Sequence, residues 1–424
     1  MASVHANEQL LFSVLLQLIV MIGVARLMNA AFRAMGQPGV IGEIVAGLML
    51  GPSLFGHFFP DASIALFGAK ASPPISMLSQ IGLILLMFQI GADFEFGHLR
   101  EATAKRAVGL VAMVSIGVPF ALGLWLGQAS AATLAPGIDP LTYALFCGVA
   151  LAITAVPILG RILREFGLTR TPIGVIAISA AAINDIVGWI MLACISAYAT
   201  AAFSGAFLAL RLAAIAALLI ALRFLLAPLV DRLVRRYPIV DGRMPTNLMA
   251  IALCLMFALG ILTFKIGIFA IFGGFAAGLL FHRHPAFVTA WNAQVGHFVL
   301  VFFLPVFFTF TGLRTNLLGL SVADLPWLAL VLVFAVLGKI VPVFFAGRAA
   351  GLGTNDSSIL AALMNTRALM ELIVLNIGYD LGFLPQSMFT MLVVMAVATT
   401  VMTGPMLRRL LPRAGYSAVR MQEA

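Results

Sequence analysis

Residues 173–198 read IGVIAISAAAINDIVGWIMLACISAY, a run with a single charged side chain, Asp185. At 1.5 Å per residue such a helix is long enough to cross the roughly 30 Å hydrocarbon core of a bilayer, and Asp185 falls near its middle. A stretch this long and this apolar reads as a transmembrane helix. Its one carboxylate is then the anomaly to be explained.

The rest of the chain has the same character. Of 424 residues, 62% are hydrophobic and 10% charged, with a mean hydropathy of +1.10. Soluble domains carry about 25% charged and about 45–50% apolar residues, so no water-soluble chain of this length could hide so much apolar surface. Disordered, collagen-like and coiled-coil chains need more charge or a strict short repeat. What remains is an all-α polytopic membrane protein.

Apolar runs bounded by charges, Pro or Gly predict thirteen spans. They lie near 10–30, 38–56, 77–94, 106–127, 141–163, 173–198 and 205–227, then 246–264, 266–281, 295–313, 326–347, 357–379 and 386–407. The eighth and ninth nearly abut at Phe264-Lys265-Ile266-Gly267. Residues 1–9 (MASVHANEQ) lack the basic start of a signal peptide, so the first run is expected to be a retained span. The longest polar stretch is Asp231–Thr246, and residues 1–424 read as one integral membrane domain with no soluble regulatory domain.

A formal charge of +9 would suggest nucleic acid in a soluble protein. Here topology absorbs it. With the N-terminus outside, nineteen basic residues fall on the cytoplasmic side, including Arg26, Arg33, Arg100, Arg161, Arg164, Arg170, Arg408, Arg409 and Arg420. Four fall on the other: Lys70, Arg211, Lys265 and Arg314. This is the positive-inside pattern; it puts the C-terminus in the cytoplasm and leaves no case for nucleic-acid binding. Cys147, Cys194 and Cys254 all lie in apolar runs without a CxxC spacing, and are expected to be small buried residues rather than a disulfide, zinc or redox set.

A faint internal repeat links Ala46-Gly47-Leu48 in the second span with Ala277-Gly278-Leu279 in the ninth. An offset of seven spans would run the copies, about 38–198 and 266–407, in opposite directions through the bilayer. Helix packing alone accounts for such a motif equally well.

Charges inside hydrocarbon each cost about 2.5–3.5 kcal/mol on insertion scales unless paired, hydrated or functional. Few qualify: Glu43, Asp185, Glu371, Lys339 and Arg367, joined by the amides Gln89, Asn184, Asn365 and Asn376. Alone at the midplane, Asp185 can be protonated and neutral, or ionised and holding a cation. That competition is a sufficient physical basis for exchange. In Ala152-Ile153-Thr154-Ala155-Val156-Pro157, Pro157 lacks an N–H, so carbonyls near Ile153 lose partners beside the Thr154 hydroxyl. Such a broken helix suits a partly dehydrated monovalent cation.

Asn365 and Thr366 are candidates to cap a second break, and Arg367 and Glu371 stand at i and i+4, where they would neutralise each other. Glu43 is expected to partner an arginine such as Arg367 rather than to ligate the ion. Lys339 lies too deep to snorkel and should pair with a carboxylate or lose its proton. Gln89 is expected to be a helix-packing amide.

Together these segments resemble the monovalent cation:proton antiporters of the Kef/Nha type, relatives of the plant cation/proton exchangers. The resemblance is carried by Val40-Ile41-Gly42-Glu43-Ile44, Gly51-Pro52-Ser53, Thr154-Ala155-Val156-Pro157, Asn184-Asp185, Gly312-Leu313-Arg314-Thr315 and Gly338-Lys339. Its most specific piece is Met364-Asn365-Thr366-Arg367-Ala368-Leu369-Met370-Glu371-Leu372. The resemblance implies inverted repeats, two broken crossing helices, a homodimer with separate dimerisation and core domains, and elevator-like alternating access. It implies that Asp185 carries the ion or proton, that the position of Asn184 tunes stoichiometry toward one-for-one exchange, and that Lys339 responds to protonation. As a second titrating group, Lys339 is the feature that would make exchange electrogenic instead. Kef-type potassium systems carry a cytosolic nucleotide-binding domain after the last span; none is expected here.

The expected function is therefore sodium/proton antiport, with potassium or lithium as other candidate cations, in a bacterial inner membrane and in the service of pH homeostasis. Other readings are the membrane subunit of a potassium efflux system or channel, and a sodium-coupled organic-solute symporter. No nucleophile–base pair or HExxH run speaks for an enzyme, and no cofactor is expected.

Overall fold

The computed structural model describes residues 2–68, 73–93, 102–169, 171–200, 205–266 and 269–416. Lys70, Arg100, Arg170, Arg420 and Gly267 lie outside the described residues, as do the side chains of Pro157 and Arg211. Among the described residues the structure is helical, and the one β-bridge is isolated, Val240 with Arg243.

In chain order the first helices are α1 (Ala2–Ala34), α2 (Gly39–Leu50), α3 (Phe55–Phe58), α4 (Pro60–Phe67), α5 (Pro73–Ala92) and α6 (Ala102–Leu134). There follow α7 (Pro140–Ala152), α8 (Val156–Glu165), α9 (Pro172–Thr200), α10 (Gly205–Ala221), α11 (Ala227–Arg236) and α12 (Thr246–Ile266). The remainder are α13 (Ala270–Phe281), α14 (Pro285–Trp291), α15 (Leu304–Leu313), α16 (Leu325–Ala349), α17 (Thr354–Met364), α18 (Leu369–Asp380) and α19 (Gln386–Leu410).

Ten helical stretches among the described residues are long and apolar enough to cross a membrane, and the pair Pro285–Gly296 and Val299–Leu313, bent by 43°, makes eleven. The expected count of thirteen is not reached helix by helix. The predicted spans 141–163 and 266–281 contain apolar helices of only 13 and 12 residues, α7 and α13. At 1.5 Å per residue neither alone covers a roughly 30 Å core.

The chain divides into two compact units. One comprises Met1–Ile22, Phe67–Glu95 and Ala193–Phe310. Its centre is a close stack of α5 on α13, made possible by glycine: a methyl on Gly278 would lie 2.1 Å from the Phe88 carbonyl oxygen, and one on Gly91 2.3 Å from that of Phe275. Phe88, Phe281, Phe287 and Trp291 close one end of this stack, with ring centroids 4.1 Å apart for Phe281 and Phe287. Cys254, on α12, is exposed rather than buried, as suits an apolar side chain facing lipid; Cys147 is buried and Cys194 half-buried.

The second unit comprises Gly23–Leu66, Phe96–Leu192 and Thr311–Ala424. Here α6 lies on α7, with Gly123 and Gly127 allowing the backbones to touch at Cys147 and Ala144. Gly47 is a close-approach point, since its carbonyl oxygen lies 1.9 Å from where a methyl on Gly312 would sit. Both Ala-Gly-Leu motifs thus stand at close helix contacts. The centre of the unit is α17 and α18, where every residue from Ile359 to Gly378 is buried. Two helices end inside this core, at residues 153–155 and 365–368, and most of the candidate site residues collect around those ends.

The packing predicts that Gly278→Val lowers stability by about 1–3 kcal/mol, because the added methyls meet backbone that cannot move aside. Gly109, whose methyl would meet nothing within 4 Å, is the control. Thermal unfolding of purified protein should show a lower Tm for Gly278→Val and an equal or higher one for Gly109→Ala; equal losses would contradict the packing argument.

Candidate functional site

The first break is written in the local sequence. Asp139 caps α7 by accepting from the Thr142 N–H at 2.8 Å, with Pro140 in the first turn. The helix stops at Ala152, and Ile153 and Ala155 take extended backbone angles. Pro157 stands in the first turn of α8, where a missing N–H is tolerated, and cannot return a hydrogen bond to the Ile153 carbonyl. The C-terminal end of α7 and the N-terminal end of α8 are therefore both open inside the core, carrying partial negative and positive charge respectively.

Lys339 of α16 meets the negative end. It is fully buried and donates to the carbonyls of Ala152 at 2.7 Å and Ile153 at 3.3 Å, and to the Thr154 hydroxyl. Three ammonium hydrogens meet three acceptors. The expectation of a carboxylate partner is corrected: the ends of a broken helix offer oxygens enough. The same contacts correct the expectation that these carbonyls stand open beside Thr154.

Asp185 meets the positive end. Near the middle of α9 and 2% exposed, its carboxylate faces the Val156 N–H, yet both oxygens are buried without completing a hydrogen bond among the described residues. The α8 N-terminus has no side-chain cap of its own, so this carboxylate supplies the negative charge that a helix start favours. Asn184 does not face the same way. With its amide oxygen toward Ser115 (2.8 Å) and Thr154 (3.2 Å), both hydroxyls donate to it, and its nitrogen donates to the carbonyls of Ala112 and Ala180. The opposite amide orientation would leave that oxygen facing only acceptors. A relay results: Lys339 donates to Thr154, and Thr154 donates to Asn184.

The second break, at Asn365–Ala368, meets the first, where the Ala155 N–H donates to the Thr366 carbonyl at 3.3 Å. Ala368 takes φ +88°, a conformation costing about 1–3 kcal/mol in a residue with a Cβ. This turn corrects the expected Arg367–Glu371 pair. The two do not share a continuous helix, and among the described residues no ion pair closes between them. Arg367 instead donates to the carbonyls of Ala150 on α7 (3.1 Å) and Ala335 on α16 (3.2 Å). Glu371 sits in the first turn of α18, fully buried, with both oxygens unpartnered among the described residues. Nor does Asn365 or Thr366 cap α18, whose N-cap is Ala368 without a side-chain bond; Asn365 reaches the Thr399 carbonyl at 3.2 Å.

Glu43 is buried on α2 and takes Asn29 (2.5 Å) and Arg26 (3.4 Å) of α1, not Arg367. Asn376 is tied to Thr311 (2.8 Å) and Arg314 (3.3 Å) toward the far end of α18. Gln89 belongs to the other unit, packed against Gly296.

The sequence reading missed Ser115 and the threonines of α19. Ser115 had no signal, being one hydroxyl in a long apolar helix. Thr399, Thr400 and Thr403 share one helix face and could have been found as a polar stripe in the last span. No cluster of His, Cys, Asp and Glu suited to a multivalent metal occurs among the described residues. With the Ala152 and Ile153 carbonyls and the Thr154 hydroxyl taken by Lys339, the Asp185 carboxylate is the oxygen group left open at the first break among the described residues.

Residues 18–413 match the family model described as sodium/hydrogen exchanger, transmembrane. Relatives include the Na+/H+ antiporter NhaS4 of Synechocystis sp., 37% identical over 413 residues, covering 95% of this chain and 98% of that one. Cation/H+ antiporter 18 of Arabidopsis thaliana is 36% identical over 92% of this chain, which spans about half of that protein's length (48%). The structure of the sodium proton antiporter MjNhaP1 from Methanocaldococcus jannaschii matches with a TM-score of 0.62 over 96% of this chain and 99% of that one, at 15% identity, a likeness of fold. Helices of membrane-crossing length, two broken helices meeting at buried charges and these similarities converge: the chain is an integral membrane protein belonging to the sodium/hydrogen exchanger family of cation:proton antiporters.

Proposed function

We propose that this protein exchanges sodium for protons by secondary active antiport, with both ions using Asp185. The observation that supports this most is the Asp185 carboxylate itself, buried in mid-helix at the open end of α8, facing the Val156 N–H and completing no hydrogen bond among the described residues. A buried carboxylate without a partner is stable when it is protonated or holds a cation. Thr154 and Asn184 set the geometry beside it. Lys339 and Arg367 are held on backbone carbonyls of α7. One carboxylate then carries one proton or one cation, and exchange is one-for-one and electroneutral.

Alternating access would present Asp185 to each side in turn. The residues assigned to the ion path all belong to the unit that contains both breaks, which we read as the ion-carrying core. The homodimer and inner-membrane location follow from the resemblance, and the orientation, N-terminus outside and C-terminus cytoplasmic, from the basic residues of the loops.

Two outcomes test the mechanism. In proteoliposomes carrying a pH dye, Asp185→Asn should abolish sodium-driven proton movement while purifying as folded protein; wild-type exchange in that variant contradicts the assignment. In the wild type the apparent sodium KM should rise as pH falls, approaching about tenfold per pH unit at the acid end, the slope of one proton competing with one cation. A flat KM over that range, or a steady voltage signal with sodium flux uncoupled from protons, would instead mark a channel.

A further inference from the structure

We infer that Thr400, on α19, is a positioning residue of the exchange site, clamping the one peptide plane that joins the two broken helices. The planar unit between Thr366 and Arg367 carries the Thr366 carbonyl at one end and the Arg367 N–H at the other. The carbonyl accepts from the Ala155 N–H at 3.3 Å, in the first break. The Arg367 N–H donates to the Thr400 hydroxyl at 3.2 Å. A rigid plane held at both ends cannot turn, so Thr400 fixes the orientation of a carbonyl that it does not touch. Ala155 immediately precedes Val156, whose N–H faces Asp185.

The hydroxyl chemistry singles Thr400 out from its neighbours. Thr399, Thr400 and Thr403 are all fully buried, and each returns its own hydrogen to a carbonyl in the preceding turn of α19. For Thr400 the acceptor is Ala396 at 2.8 Å, which leaves an oxygen lone pair for Arg367. Among the described contacts, Thr403 instead receives the Thr366 hydroxyl at 3.4 Å, and the Thr399 backbone carbonyl receives the Asn365 amide. Among the described residues, only the Thr400 hydroxyl of these three accepts a backbone N–H from the break. Loss of this acceptor would orphan an N–H where no water-exposed alternative lies near, beside Ala368 with its φ of +88°.

The transport part of this inference rests on the antiporter reading; the clamp itself does not, and two measurements separate them. Hydrogen–deuterium exchange of the full-length protein in detergent or nanodiscs follows peptides covering 150–158 and 362–372. Thr400→Val, equal in shape but without the acceptor, should exchange about tenfold faster at both breaks, including the Ala155 region that it does not contact, while Thr400→Ser stays at the wild-type rate. In proteoliposomes, Thr400→Val should raise the apparent sodium KM about tenfold with a smaller change in maximal rate, and Thr400→Ser should restore it. A merely structural role would reduce the amount of folded transporter, lowering the maximal rate at constant KM. Wild-type exchange at both breaks in Thr400→Val overturns the clamp. Faster exchange with an unchanged KM overturns the role in transport. If Thr400→Val does not fold, Thr400→Ser and Thr400→Ala decide: Ser behaving as wild type with Ala impaired supports the inference, and equal behaviour of the two overturns it. A wild-type protein without sodium/proton exchange would defeat the antiporter reading and leave the clamp to be judged by hydrogen exchange alone.

Discussion

Backbone N–H and C=O groups have no water to turn to in the core of a membrane protein, so a helix that ends there must find partners within the protein. Two helices of this chain end inside one buried core, and nearly every functional residue is a response to that. Lys339 and Arg367 serve carbonyls of α7, Asp185 faces the opening turn of α8, and the breaks serve each other through Ala155 and Thr366. At the first break each half-helix end meets a side chain of opposite sign, the pairing that the helix dipole favours.

This explains why the charges at the two breaks, unlike Glu43 with Arg26, do not pair as ions among the described residues. Lys339 and Arg367 donate to carbonyls without consuming a carboxylate, and the Asp185 and Glu371 carboxylates face the backbone N–H groups of Val156 and Ala368 without completing a hydrogen bond among the described residues. Direct Lys–Asp and Arg–Glu pairs would commit those carboxylates to the protein, and breaking a buried pair costs about 3–5 kcal/mol. With backbone dipoles holding the cations, Asp185 stays available for exchange at a smaller energetic penalty. The strained Ala368 belongs to the same arrangement, since it is the turn that separates Arg367 from Glu371.

Much of this was legible in the sequence. Asp185 was found because a carboxylate in mid-span is improbable, and the first break because Pro157 removes a hydrogen bond at a known offset. Both signals are local. Glu43 does partner an arginine, Arg26, but the partners of Lys339 and Arg367 were misread because spacing along one helix says nothing about which other helix arrives alongside. The i,i+4 rule failed at Arg367 and Glu371 for the same reason, since it presumes a continuous helix and the helix is interrupted between them. Ser115 carried no local signal to separate it from an ordinary hydroxyl in an apolar helix, and Thr400 was legible only as one member of the polar stripe with Thr399 and Thr403.

The amino-acid sequence by itself determined that the chain lies in a membrane, that its helices are apolar runs broken at defined points, and which few charges had to be accounted for. Composition and periodicity act residue by residue and are readable without a fold. Only the tertiary structure decided what those charges touch. The satisfaction of a buried donor or acceptor depends on groups on other helices, 187 positions away for Lys339 on Ala152 and 33 for the Arg367 N–H on Thr400.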